Sequence, residues 1–494
     1  MKNRKINMEL CKQKKDGTWI LDTEPCIELC DKKYEVFRTD KKEFIARTTE
    51  DSKVIELDTE SADFKRKLRN YLRQQSGLND VSEKVLKSII NFLADKAFDM
   101  EERKLSSRAY YDINNQQVLI DMCDNSNVVC IQKDKISKIS KPVGVFQKYA
   151  TDLPLVDYQE YDAKDVLQLV QDFFRLSQAD AAILIAFMIM CLLGNNKPCP
   201  ILFVTGPQGS SKSSLSKYVQ RCIDPSNGGA FVLSDNLKDL AIAVSKRLLC
   251  IFDNTGGLKN KKKISDFLCT VVTKGSMSTR KLYTTKDEMI LEFRSSLIIN
   301  GIEFLTDQSD LLERCVMLEL QPIPETERKT EAVLESEFNK IQPMLLGGLY
   351  DIIRKMFQMD EVTVSNLNRM ADFEMTGIKT AIAMGYTAEW FQDILNNNIR
   401  SMNRAFADEE IVVKAMVELM KNKSQYQASM SQCCMDCQSA IKGKVLASEL
   451  TSYPKSSASF SHRLKGLKKH LEQMGITFDT KPTNKYTEIT ITHI

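Results

Sequence analysis

The feature that most constrains this fold is the segment from Ile201 to Gln220, in which an apolar run, a loop of small residues and a helical pattern follow one another. The apolar run predicts a buried strand, Ile201–Thr205, that ends where the loop begins. Backbone N–H groups in such a loop, together with the positive N-terminus of the next helix, can surround a phosphate chain. The order strand, loop and helix therefore predicts a phosphate-binding loop.

The polar residues of the loop have predicted roles. Lys212 reaches the terminal phosphates of a nucleotide, and Ser213 is a ligand of Mg²⁺. The position before the lysine is usually glycine and is Ser211 here, although Gly209 restores some backbone freedom. An ordinary Gly/Ser turn is the alternative for the motif taken alone. The predicted nucleotide-binding residues of the loop are Gly206, Pro207, Gln208, Gly209, Ser210, Ser211, Lys212, Ser213 and Ser214.

Length and charge limit the possible classes of protein. A chain of 494 residues is too long for one ordinary core and predicts about three units. Its 43% hydrophobic and 27% charged residues are typical of a soluble globular protein. The net charge is only +3, from 69 basic and 66 acidic residues, so the total charge does not by itself indicate a nucleic-acid partner.

The apolar segments and the cysteines point to a cytoplasmic protein with no membrane partner. The N-terminus lacks the apolar segment of a secretory signal, and the run Ala181–Leu193 is shorter than the roughly 20 residues that cross a bilayer. We expect that run to be a buried helix. The 14 cysteines are expected to be reduced, and the cluster Cys433, Cys434 and Cys437 lacks a nearby fourth zinc ligand, which favours plain thiols.

Three further apolar runs predict strands of the same sheet: Leu248–Asp253, Ser296–Asn300 and Val316–Leu320. Continuous apolar runs separated by helices are typical of parallel strands covered on both faces. Asp253 is predicted to hold Mg²⁺ beside the phosphate loop, and Asn300 to position the attacking water. Asn254 stands where a catalytic carboxylate usually follows, and an amide orients water without accepting its proton, so the general base stays open.

Two further features, one between these strands and one before the last of them, are predicted to contact DNA and a neighbouring subunit. The segments Ser278–Thr284 and Met289–Arg294 predict a hairpin, and the predicted DNA-contacting residues in it are Arg280, Lys281 and Lys286. A solvated hairpin of mixed charge is the alternative. Arg314, before the last strand, is predicted to stabilise charge on the γ-phosphate in a neighbouring subunit, and a surface salt bridge is the alternative.

Residues 1–140 predict an α+β module without a catalytic constellation. Strand-like alternation covers Tyr34–Asp58, and helical patterns cover Ala62–Ser76 and Val81–Ala97. Tyr110–Asp112 and Val118–Asp121 predict a hairpin around two asparagines.

Further along, helical patterns cover Glu331–Lys340, Met344–Phe357 and Gly377–Asn398, within a helical lid at 331–408.

The C-terminal residues predict a winged helix. Phe460, Leu464, Leu467 and Leu471 form one apolar helical stripe. The predicted wing strands are Ile476–Phe478 and Tyr486–Ile491. The basic residues predicted to contact DNA from the opposite face are Arg463, Lys465, Lys468 and Lys469. A protein-docking module is the alternative use of a winged helix.

Together these residues resemble an AAA+ ATPase of the helicase clade, and the hairpin resembles the pre-sensor hairpin of superfamily 3 and minichromosome-maintenance helicases. The closer resemblance is to ATPases of phages and mobile elements, including the self-loading, MCM-like helicases of staphylococcal chromosome cassettes. It covers about residues 140–494. The stretches that carry it are GPQGSSKS, CIDP, DLAIAV, FDNTGGL, RKLYT, IINGIEF, DLLERCVMLEL, RMADF and SFSHRLKGLKKHLEQMGI.

The resemblance implies an α/β AAA+ P-loop ATPase core at 141–330, an α+β N-terminal domain at 1–140, the helical lid at 331–408, and a linker with a C-terminal winged helix at 409–494. It implies ATP and Mg²⁺ as cofactors. It adds Arg369 as a lid-side arginine of the ATP site and keeps Asn254 among the catalytic residues.

The function implied by the resemblance is that of a homohexameric, ATP-dependent DNA helicase that replicates a mobile genetic element or prophage. Single-stranded DNA would pass through a central pore, and duplex DNA would contact the winged helix. The alternative is a non-translocating AAA+ switch, namely a loader, regulator or defence protein that assembles on DNA or on a protein partner.

Overall fold

The computed structural model describes most of the chain. The described residues are 6–39, 44–48, 55–57, 62–100, 102–103, 105–124, 127–140, 146–147, 151–194, 197–255, 258, 261–280, 288–301, 308–445, 450–483 and 485–493.

The N-terminal part contains a mixed four-stranded sheet, an antiparallel four-stranded sheet, a two-stranded antiparallel pair and three helices within its described residues. Its elements are β1 (Cys11–Gln13), β2 (Trp19–Leu21), α1 (Thr23–Lys33), β3 (Tyr34–Thr39), β4 (Phe44–Thr48), β5 (Ile55–Glu56), α2 (Ala62–Ser76), α3 (Glu83–Phe98), β6 (Glu102–Arg103), β7 (Ala109–Asp112), β8 (Gln117–Asp121), β9 (Asn127–Ile131) and β10 (Ile136–Ser140). The predicted helices and the predicted hairpin are confirmed, whereas β1, β2, α1 and β10 were not predicted. The sheet orders are β5-β4-β3-β6, in which β6 pairs with β3 in parallel, and β10-β9-β8-β7, beside the small β1-β2 pair.

The two halves of this part pack differently. Residues up to Ala97 bury a cluster of their own, built around Phe64, Leu68 and Ile90. In contrast, Val118 and other side chains of the β7–β10 sheet join the large cluster formed by the helices that follow. Packing therefore does not separate the chain at residue 140.

The central unit is built on a parallel sheet. Its elements are a 3-10 turn (Ala163–Asp165), α4 (Val166–Phe174), α5 (Gln178–Leu193), β11 (Ile201–Thr205), α6 (Lys212–Ile223), α7 (Leu237–Ser245), β12 (Leu249–Thr255), α8 (Lys262–Val272), β13 (Ser276–Arg280), β14 (Glu288–Glu292), β15 (Ser296–Gly301), α9 (Ser309–Leu312), β16 (Cys315–Glu319) and a 3-10 turn (Glu325–Glu327). The sheet order is β12-β15-β11-β16, and all three pairings are parallel. The four apolar runs thus form one sheet, as predicted.

Helix α5 is the apolar centre of the larger core. Every side chain from Ala181 to Leu193 is buried, which confirms the buried helix predicted there. Ser177 caps its N-terminus by accepting a hydrogen bond from the backbone N–H of Asp180, and Gly194 ends it in the left-handed conformation. Within the described part of the chain no single helix is long and apolar enough to cross a membrane; only the pair Ala163–Phe174 and Gln178–Leu193, bent by 112°, has the required length and composition together.

The lid helices are α10 (Glu331–Gln358), α11 (Ala371–Met384) and α12 (Ala388–Glu409). Two predicted boundaries were wrong. Helix α10 continues through Pro343, where two helices were expected, and its buried face from Leu345 to Ile353 keeps it packed on the core. The single helix predicted over 377–398 is instead divided, because Gly385 takes the left-handed conformation that ends α11.

The C-terminal part combines helices with a three-stranded sheet. Its elements are α13 (Ile411–Met420), β17 (Gln425–Ser429), α14 (Met430–Ile441), α15 (Ser457–Gly466), α16 (Lys468–Gln473), β18 (Ile476–Pro482) and β19 (Thr487–His493). The strand order is β17-β19-β18, so β17 adds a strand to the predicted two-stranded wing. The stripe from Phe460 to Leu471 is buried, as predicted.

An extended strap, defined as residues 151–161, connects the β7–β10 sheet to the core and crosses α10 at two adjacent glycines. A Cβ atom on Gly347 would lie 1.7 Å from the carbonyl oxygen of Gln159, and a Cβ on Gly348 would lie 3.2 Å from Tyr161 Cδ1. The backbone N–H of Gln159 donates to the carbonyl of Pro343 at 2.9 Å. Glycine at these positions is what lets the strap lie directly on the helix.

Gly347→Ala is expected to lower the free energy of unfolding by about 1–3 kcal/mol, because the new methyl group overlaps backbone that cannot rotate away. Alanine ordinarily stabilises a helix by up to about 1 kcal/mol relative to glycine. Gly466→Ala is the matched control, since a Cβ there meets no atom within 4 Å. Calorimetric unfolding of both variants measures the difference. A Gly347→Ala protein as stable as the wild type would contradict the described strap contact.

Candidate functional site

The loop between β11 and α6 has the backbone freedom that phosphate binding needs. Gly206 has a φ of 151° and Gly209 a φ of 82°. A Cβ on Gly206 would lie 2.4 Å from the carbonyl oxygen of Leu320, so only glycine fits there. Ser211, at the position flagged in the sequence, adopts the left-handed conformation with φ 61° and ψ 29°. The loop therefore has the backbone conformation that glycine usually provides at this position, and the serine adopts it at a cost in backbone strain.

Lys212 folds over this loop. Its ammonium group donates to the carbonyl oxygens of Gly206 at 2.7 Å and Pro207 at 2.9 Å, and it lies 3.4 Å from Ser210 Oγ. Burial lowers the pKa of Lys212 below its ordinary value, and the charge of Asp253 opposes part of that shift. The lysine is thus held at the mouth of the loop, within the electrostatic field of Asp253.

The carboxyl end of the sheet brings three predicted residues to one cavity. Ser213, Asp253 and Asn300 all line a cavity of about 500 Å³. Asn300 is fully buried, and its Oδ1 accepts a hydrogen bond from Ser216 Oγ at 2.8 Å. Ser216 lies one helical turn after Lys212, so this contact sets the position of the Asn300 amide relative to the loop. Sequence reasoning missed Ser216, although its spacing from Lys212 was visible.

A second, larger cavity lies on the other side of the loop. Its volume is about 1220 Å³, and residues 208–211 and 213–215 of the loop and the first turn of α6 form one wall. Phe173, Phe174 and Tyr218 line it with aromatic rings, and Ile323 adds an apolar side chain. This combination of backbone N–H groups and an apolar wall suits a ligand with both a phosphate chain and an aromatic ring.

The other residues predicted around the sheet are only partly described. Strands β13 and β14 form the predicted hairpin, with Ser276 opposite Glu292 and Arg280 opposite Glu288. Lys281 and Lys286 lie outside the described residues, as do the side chains of Arg280 and Asn254. The predicted roles of these four residues stay predictions.

Two predicted arginines lie together at the opposite end of the sheet. Arg314 donates to the carbonyl of Asp310 at 2.6 Å and forms an ion pair with its carboxylate at 2.5 Å. Arg369 pairs with the same carboxylate at 2.8 Å and with Glu313. Burial acts to raise the pKa of Asp310, but the hydrogen bond and charge of Arg314, with help from Arg369, lower it overall. The salt bridge given as the alternative for Arg314 is therefore observed, although sequence reasoning named neither Asp310 nor Glu313 as a partner of these arginines.

The strand register separates this arginine pair from the loop of the same chain. Ile201 pairs with Cys315 and Thr205 with Glu319, so the two ends of the sheet are about 13 Å apart at roughly 3.3 Å per residue. Arg314 precedes the first pair, and the loop follows the second. Arg369, predicted as a lid-side contact of the ATP site, therefore lies away from its own phosphate loop.

The predicted DNA-binding residues of the C-terminal part differ in their surroundings. Arg463 donates to the carbonyl of Ser452 at 3.0 Å and pairs at 2.8 Å with Glu410, which is buried. Lys465 is exposed, and Lys468 lies with its ammonium 5.9 Å from the centre of the Phe478 ring. The side chain of Lys469 lies outside the described residues. A DNA contact by Arg463 would have to compete with its ion pair.

The described part of the chain contains no group of three or more His, Cys, Asp or Glu side chains arranged to hold a metal ion. In the cysteine cluster, Cys433 and Cys437 are buried, and the Cys437 thiol contacts Met416 Sδ at 3.6 Å.

The comparisons with known proteins concern the central unit. Residues 165–395, less than half of the chain, match the family model of the actinomycete integrative conjugative element replication protein. This similarity supports a replication protein of a mobile element, and the matched stretch contains the phosphate loop, Asp253, Asn300, Arg314 and Arg369. No curated protein matches the chain.

Among solved structures, the A-form apo structure of the NrS-1 C-terminal region is similar to this chain with a TM-score of 0.42 and 11% sequence identity, and the match covers 94% of this chain and 98% of that one. A second A-form apo structure of that region, residues 305–718, has a TM-score of 0.40, 11% identity and the same two coverages.

Ser211→Gly is expected to raise the free energy of unfolding by up to about 1 kcal/mol. Relief of the left-handed strain, about 1–2 kcal/mol, exceeds the roughly 0.4–1 kcal/mol by which glycine favours the unfolded chain. Ser214→Gly is the control, since the same replacement inside α6 should lower stability by about 0.5–1 kcal/mol. Denaturant unfolding compares the two. A destabilised Ser211→Gly protein would argue against the described loop conformation.

Proposed function

We propose that this protein is an ATP-dependent DNA helicase, a hexameric AAA+ translocase that acts in the replication of a mobile element. The observation that supports this most is the meeting of Ser213, Asp253 and Asn300 in one cavity beside a loop shaped for phosphate. The similarity of residues 165–395 to a mobile-element replication protein supports the biological setting.

The proposed chemistry follows from the positions of these side chains. Lys212 would leave the carbonyls of Gly206 and Pro207 and neutralise the β- and γ-phosphates of ATP. Ser213 and Asp253 would hold Mg²⁺, which offsets charge on the phosphate oxygens. Asn300, fixed by Ser216, would orient the attacking water.

The base would pack in the larger cavity. Phe173, Phe174 and Tyr218 offer aromatic faces there, and the loop reaches the same space. One nucleotide would thus occupy both cavities, with its base on the aromatic side of the loop and its γ-phosphate on the side of Asp253.

Assembly into a ring would complete the site. Arg314 and Arg369 lie at the end of the sheet away from their own loop, where they can face the γ-phosphate held by a neighbour. The ion pairs with Asp310 would keep both guanidinium groups oriented until a neighbour arrives.

DNA would be contacted by two other parts. Arg280 is the last residue of β13, and the β13–β14 hairpin is proposed to line the pore. The C-terminal part, with helices α13, α14 and α15 and a three-stranded sheet, fits the predicted winged helix and is proposed to bind duplex DNA.

A non-translocating switch is the second candidate, and one observation favours it. Among the described residues that line the 500 Å³ cavity, Asp253 is the single carboxylate, and it is already assigned to Mg²⁺. Without a second carboxylate to accept a proton, hydrolysis would be slow. Slow hydrolysis suits assembly on a partner better than repeated steps along DNA.

Lys212→Ala is expected to abolish displacement of one strand from a forked DNA duplex and to lower ATP turnover by about 100-fold or more, because the charge that stabilises the transferring phosphate is gone. Lys340→Ala, an exposed lysine on α10, is the control and should unwind as the wild type does. Retained turnover in the Lys212→Ala protein would refute the phosphate-loop assignment. DNA-stimulated hydrolysis without displacement in the wild type would favour the switch.

Arg314→Ala is expected to leave nucleotide binding unchanged and to reduce ATP turnover by about 1000-fold, since an arginine donated by a neighbour acts only on the transition state. Arg400→Ala, an exposed arginine on α12, serves as the control. Mixing Arg314→Ala with Lys212→Ala protein should restore part of the turnover, as some sites then combine an intact loop with an intact arginine. No recovery on mixing would contradict shared sites.

A further inference from the structure

Arg108 is a fully buried arginine outside the nucleotide site. It lies just before β7, and its side chain is 1% exposed. Its Nε donates to Asp224 Oδ1 at 2.9 Å, and Nη2 donates to the carbonyls of Leu153 and Pro225, each at 3.1 Å. Nη1 lies 3.4 Å from the carbonyl of Asp121. One side chain therefore joins the β7–β10 sheet, the strap and the end of the helix that follows the phosphate loop.

Asp224 continues this connection into the sheet. It directly follows α6, and its backbone N–H donates to the carbonyl of Gln220 at 2.7 Å. Its other carboxylate oxygen, Oδ2, accepts hydrogen bonds from the backbone N–H groups of Leu248 at 2.9 Å and Leu249 at 3.2 Å. Leu249 begins β12, the strand that carries Asp253, and Leu248 directly precedes it. The Arg108–Asp224 pair thus ties the end of the loop helix to the start of the Asp253 strand.

The strap completes the connection on the other side. Leu153, Pro154 and Val156 line the cavity that contains Ser213, Asp253 and Asn300. The backbone N–H of Leu153 donates to the carbonyl of Pro225 at 2.9 Å, and that of Asn227 donates to the carbonyl of Thr151 at 2.8 Å. Arg108 binds the carbonyls of Leu153 and Pro225 at this same point. The guanidinium of Arg108 therefore fixes the part of the strap that lines the cavity.

We propose that Arg108 is a positioning residue for nucleotide hydrolysis, through which the N-terminal part sets both the place of Asp253 and the strap wall of the catalytic cavity. This inference rests on the proposed ATP hydrolysis. Arg108 touches neither nucleotide nor reacting water and acts through Asp224 and the strap. A misplacement of about 1 Å at a reacting group can cost about 100-fold in rate, so a distant anchor of this kind suffices to control turnover.

Arginine is the residue that this position needs. The planar guanidinium carries five N–H donors in a fixed fork, and here it serves acceptors on three separate segments. Lysine keeps the positive charge beside Asp224 and has three donors on one flexible atom. Arg108→Lys therefore preserves the buried ion pair while loosening the strap. Arg108→Met would leave the Asp224 carboxylate buried without a counter-charge, so a loss of activity could then come from unfolding and not from a misplaced Asp253.

The experiment compares the full-length wild type, Arg108→Lys and Lys138→Ala. Lys138 is the matched control, because it also joins the β7–β10 sheet to the strap, through an exposed ion pair with Asp157 at 2.5 Å. Two readouts are taken: steady-state ATP hydrolysis with titration of a fluorescent ATP analogue, and hydrogen exchange of the peptides that contain residues 151–158 and 248–255.

The dissociation constant of Arg108→Lys for the analogue is expected to stay within about twofold of the wild-type value. Its ATP turnover number is expected to fall to about one tenth of the wild-type value or lower. Exchange should quicken in both peptides and stay unchanged over Ala62–Ser76, a helix that packs in a separate cluster. Lys138→Ala should match the wild type in both readouts. A merely structural role for Arg108 would weaken binding and turnover together.

Three outcomes overturn the inference: unchanged exchange in both peptides of Arg108→Lys, quickened exchange with a turnover number equal to that of the wild type, or a loss of nucleotide binding together with turnover. A wild type that binds no nucleotide would refute the proposed function instead. In that case unchanged exchange would still refute the positional part of the inference, and quickened exchange over residues 151–158 and 248–255 would still support it.

Discussion

The parallel pairing of β11 with β15 and β16 is the constraint on which the rest of the structure depends. Parallel strands have their carboxyl ends at the same edge of the sheet. This edge therefore contains the loop after Thr205, the Asn300 amide and Asp253. The same pairing sends Arg314 to the far edge. The residues proposed to contact phosphate and Arg314 thus lie at opposite edges of one sheet, an arrangement that fits the proposed ring, in which unlike edges of adjacent subunits would meet.

The sequence predicted those parts of the fold whose signals are local. Four continuous apolar runs predicted the parallel strands, and small residues before Lys212 predicted the loop. Pairing between distant residues left no such signal: Arg108 and Asp224 are 116 positions apart, and Arg369 and Asp310 are 59 apart. A list of charged residues cannot tell which of them meet, since charges along the chain are mostly solvated.

Tertiary packing also overrode two local rules. A proline normally ends a helix, yet α10 continues past Pro343, with buried residues on both sides of it: Phe338 and Gln342 before the proline and Leu345 to Ile353 after it. Strand β17 lacks apolar alternation and forms because its backbone pairs with β19. Ser211 differs from these two cases. The sequence showed that serine replaces the usual glycine there, but it did not show that this serine adopts the left-handed conformation. The roles predicted for Asn254, Lys281, Lys286 and Lys469 rest on sequence alone.

The β7–β10 sheet shares its hydrophobic cluster with α5 and α10, so the sheet and the central unit pack as one body. A chain cut at residue 140 would lose Val118, Ile120, Val129 and Ile131 from that cluster, each fully buried. It would also leave Asp224 buried without its guanidinium. The stretch that matches the replication-protein family model begins at residue 165, but the hydrophobic cluster that contains it already includes Ala109, 56 residues earlier. The boundary of a recognisable sequence family and the boundary of a folding unit are thus different places in this chain.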